Sequence, residues 1–150
     1  MKKILIILLS AFAFGFQSCN KDEAATEGFD FSNTLPPYVE LSSTAAKTVK
    51  QGASTTFTFV MRSGLQQNVT VTYDVTGGGL NLTNQTAVIE RNKLNAVVTV
   101  AIPANAIVAP ATTATATLTL TKAVTASGTQ LTIGQKNVPG AQKVTINITQ

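Results

Sequence analysis

Histidine and tryptophan are absent from this 150-residue sequence, and cysteine occurs once, at position 19. Without an imidazole, the chain has no histidine general base, no Ser-His-Asp or Cys-His nucleophile, and no histidine ligand for zinc or haem. A single thiol also has no partner for a disulfide within the chain. The function classes that depend on these groups are therefore excluded.

Charged residues are also scarce, at 12% of the chain, and their two signs are unevenly distributed. Residues 20–40 hold one lysine and five acids (1 − 5 = −4), whereas residues 41–150 hold eight basic and two acidic residues (8 − 2 = +6). The basic residues are scattered singly, which favours ordinary surface charge and predicts no nucleic-acid partner. Attraction of a polyanion, such as an acidic polysaccharide or lipopolysaccharide, is the alternative.

One long apolar run lies near the N-terminus. Residues 4–16 are thirteen in number (16 − 4 + 1), are interrupted only by Ser10 and Gly15, and follow Lys2 and Lys3. As a helix, this run would measure about 20 Å, which is less than the roughly 30 Å of a bilayer's hydrocarbon core. We therefore predict a signal peptide over residues 1–18 and not a membrane-spanning anchor.

The four residues Phe16-Gln17-Ser18-Cys19 end the apolar run and resemble the lipoprotein box of bacterial signal peptides. The resemblance implies cleavage before Cys19, thioether lipidation of its sulfur and acylation of the new N-terminus. Several acyl chains together are enough for stable membrane anchoring. The expected partner is therefore the membrane, and the alternative is a plain secretory signal followed by a free thiol.

The next residues, Asn20-Lys21-Asp22-Glu23, resemble the surface-export signal of Bacteroidota lipoproteins. The resemblance implies that Lys21, Asp22 and Glu23 direct the protein to the outer face of the outer membrane. The alternative is a solvated, charged start to a linker. Residues 19–36 are predicted to be an acidic tether, because they are polar, lack a sustained period and lead into Pro36-Pro37.

Alternation of apolar and polar residues at period two predicts strands through residues 37–150. The apolar positions of each strand share one face, and threonine dominates the other face. No window shows a helical period, and turn signals such as Gly77-Gly78-Gly79 and Pro139-Gly140 separate the strands. The pattern predicts an all-β fold, an antiparallel immunoglobulin-like β-sandwich. Its eight predicted strands cover residues 38–41, 56–61, 69–76, 86–90, 98–102, 113–121, 130–133 and 144–149.

Several of these segments, taken in order, resemble a Calx-beta or related immunoglobulin-like module: residues 48–52, 55–61, 69–75, 91–103 and 114–121. The resemblance implies a β-sandwich whose calcium ligands are acidic loop residues. In this chain the loop before Ala114, residues 108–113, contains no carboxylate. A calcium site is therefore not carried over, and no metal ligand is predicted.

After Glu40 the carboxylates are Asp74 and Glu90. A two-carboxylate hydrolase would need them to face each other across a cleft. Asp74 is predicted on the polar face of a strand and Glu90 at a turn, so we expect solvated surface residues. Sugar binding would use aromatic platforms, for which Tyr38 and Tyr73 are the candidates, and Tyr73 falls on an apolar face.

The sequence as a whole predicts an outer-membrane surface lipoprotein whose sandwich is a non-catalytic adhesion, scaffold or accessory module. We expect no enzyme activity and no cofactor, and a surface protein or glycan as the partner of the domain. Two alternatives stay open: a glycan- or polyanion-binding module, and a hydrolase that acts through Asp74 and Glu90.

Overall fold

The computed structural model describes residues 36–134 and 142–150. The predictions on the signal peptide, Cys19, the Lys21-Asp22-Glu23 signal and the Pro139-Gly140 turn lie outside the described residues. In the described part, nine strands and no helix are present, and hence no helix that could cross a membrane. The strands are β1 Tyr38–Leu41, β2 Lys47–Lys50, β3 Ser54–Met61, β4 Val69–Gly77, β5 Leu80–Ile89, β6 Asn95–Ala101, β7 Thr113–Thr125, β8 Thr132–Ile133 and β9 Lys143–Thr149.

The strands form two sheets that pack into the predicted sandwich. One sheet has the order β6-β3-β1-β8, and the other has the order β2-β9-β7-β4-β5. The long central pairs, β3 with β6, β4 with β7 and β7 with β9, are antiparallel. Two pairs at the sheet edges, β1 with β8 and β2 with β9, are parallel, so both sheets are mixed. These pairs arise because the first two strands of the domain lie in different sheets, β1 beside β8 and β2 beside β9.

The core lies between the sheets and is built from alternate residues of the strands, as the sequence predicts. On β4, Val71 is fully buried whereas its neighbour Thr70 is exposed. Phe59 of one sheet meets Tyr73 of the other with ring centroids 5.3 Å apart. Each large aliphatic or aromatic side chain buried in this way contributes about 1.5–3 kcal/mol. Residues 35–150 form one compact unit with its own core.

Edge strands differ most from the sequence prediction. β2 was not predicted, because in Lys47–Lys50 a single apolar residue, Val49, lies among polar neighbours. The sequence predicts that β5 begins at residue 86, but the strand begins at Leu80. Its first half was missed because residues 81–86 are all exposed and show no alternation of apolar and polar residues. β8 has two residues, not four, and Gln130 forms only an isolated bridge with Val124.

The loops gather at the two ends of the sandwich. The N-terminal pole consists of residues 36–37, 62–68, 90–94 and 126–131, and the distal pole consists of residues 51–53, 77–79 and 102–112. Loops within each pole are joined by backbone hydrogen bonds. At the N-terminal pole, the Ala126 N–H donates to the Asn68 carbonyl at 2.9 Å, and at the distal pole the Gly52 N–H donates to the Ile102 carbonyl at 3.1 Å.

Candidate functional site

The two candidate catalytic carboxylates lie far apart. Asp74 lies within β4, whereas Glu90 follows β5 just beyond the pairing of Ile89 with Val69. Five to six residues of strand separate them, which is about 17–20 Å at ~3.3 Å per residue. Glycosidase carboxylates lie roughly 5–9.5 Å apart, so this fold does not bring the pair together.

Asp74 instead has a structural partner. Its Oδ1 accepts a hydrogen bond of 2.7 Å from the backbone N–H of Asn84. The β4–β5 register shifts between Tyr73 and Val75, and Asn84 has a positive φ of 54°. The Asp74 carboxylate therefore satisfies a backbone donor at an irregularity in β5.

Neither candidate aromatic platform is open to solvent. Tyr73 is 7% exposed and packs against Phe59, as the sequence predicts, and burial raises the pKa of its hydroxyl. Tyr38 is also buried, at 8% exposed. A flat ring face that could stack on a sugar is therefore not offered by either tyrosine.

The distal pole corresponds to the loops where the sequence resemblance would place calcium ligands. The loops 51–53, 77–79 and 102–112 contain no charged residue. Across residues 36–134 and 142–150, no three acidic, cysteine or histidine side chains gather in a group that could hold a metal ion.

Gly77, Gly78 and Gly79, at the distal pole, form the turn that joins β4 to β5. All three have positive φ, and a Cβ on Gly77 would lie 2.7 Å from the Thr115 carbonyl oxygen. This close approach to β7 explains why glycine is needed there. The Gly77-Gly78-Gly79 segment is therefore a tight turn packed on the protein's own backbone, as predicted, and not a phosphate cradle.

A cleft of about 300 Å³ opens at the N-terminal pole. No charged side chain lines it, and the Thr129 N–H and the Thr125 hydroxyl, which are part of its wall, hydrogen-bond to each other at 3.0 Å. Its size is at the lower limit of small-molecule sites. The cleft therefore offers shape and apolar surface but no reactive group.

The surface that differs most from an ordinary protein surface is the outer side of β5 and β6, which we call the β5–β6 edge. The two strands are the ends of their respective sheets and contact each other. Neither contains a charged residue or a proline. Four of the five exposed large hydrophobic side chains among the described residues lie on these strands or next to them: Leu82, Val88, Leu94 and Val97.

The opposite edges of the two sheets are protected in the usual ways. β2 carries Lys47 and Lys50, and β8 is only two residues long. Lysines and very short strands are what proteins use to prevent unwanted strand pairing. β5 and β6 have neither lysine nor proline, although the register of β5 is irregular near Asn84, so this edge is the candidate interaction surface. Sequence reasoning missed it, although the uncharged run over residues 80–89 was a usable signal.

Comparisons with known proteins support the fold. No protein-family model and no curated protein sequence matches the chain. The structure is similar to the crystal structure of the apo-form Calx CBD1 domain, with 11% identity and a TM-score of 0.55, over 77% of this chain and 97% of that one. It is also similar to CBD12 from CALX1.2, with 11% identity and a TM-score of 0.50, over 74% of this chain and 43% of that one. The domain is thus a Calx-beta-like β-sandwich, and at this identity the likeness concerns the fold alone.

Proposed function

We propose that this chain is an outer-membrane surface lipoprotein, anchored through acyl chains on Cys19, whose Calx-beta-like sandwich is a non-catalytic adhesion or scaffold module. The proposal combines the lipoprotein box that ends at Cys19 with the properties of the folded domain. Lys21, Asp22 and Glu23 supply the export signal in this proposal, and the tether separates the domain from the lipid.

The single observation that carries the adhesion role is the β5–β6 edge. An edge strand has unpaired backbone donors and acceptors along one side, and an added strand of a partner can satisfy them. Val88 and Val97, 47% and 62% exposed, would then gain apolar neighbours from that strand. The partner we propose is an extended, weakly charged segment of another surface protein.

The rival functions have less support. The distance between Asp74 and Glu90 argues against a two-carboxylate hydrolase. The burial of Tyr38 and Tyr73 removes the aromatic platforms on which a glycan-binding role would depend. A non-catalytic module that binds a polypeptide is therefore the function we favour.

Lysine substitutions at the edge test this proposal. Val88→Lys together with Val97→Lys should abolish crosslinking of the surface-displayed protein to its partners on intact cells, because edge lysines oppose strand addition. Thr115→Lys together with Thr145→Lys is the matched control, since both threonines are exposed on the outer face of β7 and β9. An unchanged set of crosslinked proteins in the edge variant would contradict the proposal.

A further inference from the structure

We propose that the N-terminal pole is a docking face for an anionic, phosphate-bearing lipid surface, formed by Arg62, Arg91 and Lys93 around the exposed side chain of Leu94. The inference rests on the proposed function, because the lipid on Cys19 is what would place the domain beside such a surface. In this arrangement the membrane would orient the domain as well as anchor it.

The fold brings together basic residues that are distant in the sequence. β3 and β6 pair in an antiparallel register in which Val60 lies opposite Asn95. The pairing continues past the strands, because the Met61 N–H donates to the Leu94 carbonyl at 2.8 Å. Arg62 follows Met61 and Lys93 precedes Leu94, so both basic residues lie at the N-terminal pole, where this pairing ends.

The loops that carry these residues also contact each other directly. The Asn92 N–H donates to the Leu65 carbonyl at 2.8 Å, and the Arg91 Nη2 donates to Gln66 Oε1 at 3.1 Å. A Cβ on Gly64 would lie only 3.2 Å from the backbone of Asn92. The segments 62–66 and 90–93 therefore form one continuous surface.

This surface has an excess of positive charge. Its three basic side chains are all exposed, and Glu90 is the one acid in the two loops, so the local charge is 3 − 1 = +2. Arg91 donates to the uncharged side chain of Gln66, and all three basic side chains are open to solvent. Phosphate groups from outside the chain could therefore contact all three cations.

The exposed leucine favours a lipid surface over a soluble polyanion. Leu94 follows Lys93 in the chain and is 50% exposed. Proteins that bind the membrane interface combine apolar side chains, which enter the acyl boundary, with basic side chains, which contact anionic headgroups. A polysaccharide or nucleic acid would use the charges but would gain nothing from Leu94.

The position of the pole in the molecule supports the same conclusion. Pro36, where the chain from Cys19 enters the described domain, lines the cleft of the N-terminal pole together with Leu65 and Gln67. Leu65 in turn accepts the hydrogen bond from Asn92 described above. The entry point and the basic loops therefore share one end of the sandwich. The strands run between the poles, so with this end on the lipid the β5–β6 edge extends outward and stays accessible.

Vesicle binding by the mature polypeptide, residues 19–150 made without lipid, tests the inference. The parent should sediment with vesicles of phosphatidylcholine and phosphatidylglycerol but not with pure phosphatidylcholine. Replacing Arg62, Arg91 and Lys93 by glutamine should weaken binding about 100-fold, since each basic residue near an anionic surface contributes about fivefold. The control replaces Lys50, Lys122 and Lys143 by glutamine, removes the same charge from exposed positions elsewhere, and should retain affinity within a factor of about 10.

A second set of binding measurements distinguishes a lipid surface from soluble phosphate as the ligand. Leu94→Gln should weaken binding to the anionic vesicles, and soluble polyphosphate should bind the parent more weakly than the vesicles do. Equal losses in the two glutamine triples, no binding of the parent to anionic vesicles, or binding to vesicles that is independent of Leu94 would each overturn the inference. The protein in this experiment carries no acyl chain, so such a failure is distinguishable from failure of Cys19 lipidation. Unchanged melting temperatures of the variants establish that they are folded.

Discussion

At the scale of single residues, Asp74 and Tyr73 are neighbours with different surroundings. Asp74 is half-buried at the outer face of its sheet, where its carboxylate accepts a hydrogen bond from the Asn84 backbone. Tyr73 points into the core beside Phe59. Alternation at period two places such neighbours on opposite faces, and it was sufficient to predict both positions. The hydrogen bond to Asn84 was not predictable, because it depends on an irregularity in β5.

Burial of Tyr73 predicts a loss of stability at high pH. Burial raises the pKa of Tyr73 above 10.0, the ordinary value, because the core disfavours the phenolate. The unfolded state therefore ionises first, so stability is complete below pH ~10 and decreases as the pH rises through the folded pKa. We expect Tyr73→Phe to lose less unfolding free energy than the parent between pH ~9 and ~11. Urea titrations at several pH values measure this, and parallel pH profiles for the two proteins would contradict the assignment.

At the scale of secondary structure, the sequence predicts the central strands more completely than the edge strands β2 and β5. β4 and β7 are flanked by strands on both sides and packed on one face, so their sequences alternate clearly between apolar residues and threonine. β2 and β5 are each paired on one side only. Burial constrains fewer of their residues, and the periodic signal disappears.

The assignment of faces on β4 is tested by one substitution at two adjacent positions. Val71→Asp places a charge in a fully buried site, whereas Thr70→Asp places the same charge on an exposed site of the same strand. We expect the first to lower the free energy of unfolding by more than about 4 kcal/mol, or to prevent folding, and the second to change it by about 0.5 kcal/mol or less. Chemical denaturation of both variants measures the difference, and equal stabilities would show that the faces are wrongly assigned.

At the scale of the whole molecule, the β-sandwich was predictable, but the surfaces that we propose for binding were not. Threonine-rich alternation and frequent turn signals are sufficient to indicate the architecture. The basic residues appear scattered in the sequence, and the register of β3 with β6 brings Arg62 and Lys93 to the same pole. The β5–β6 edge likewise depends on which strands end each sheet. Both surfaces depend on the order in which the strands pair within each sheet. The alternation of apolar and polar residues along a single strand does not specify that order.

The two poles give the molecule a direction. The N-terminal pole carries Arg62, Arg91 and Lys93. The loops of the distal pole carry no charged residue, and one of them exposes the apolar side chain of Val108, which is 75% exposed. The chain from Cys19 enters the described domain at Pro36, which lines the cleft of the basic pole. In the arrangement that we propose, the uncharged pole is the end farther from the membrane. The proposed functions of the pole, the edge and the anchor therefore form one account, which depends on the lipid.

Metabolic acyl labelling of the full chain tests that account most directly. The parent should incorporate labelled acyl chains and stay with the membranes through a high-salt wash. Cys19→Ala should do neither, because it lacks the sulfur that forms the thioether and because salt screens the contacts of the basic pole with the lipid. The variant with Lys21, Asp22 and Glu23 all changed to alanine is the control. It should keep the label and the membrane association but become less accessible to protease added outside intact cells. An unlabelled Cys19→Ala variant that stays with salt-washed membranes to the same extent as the parent would contradict the account.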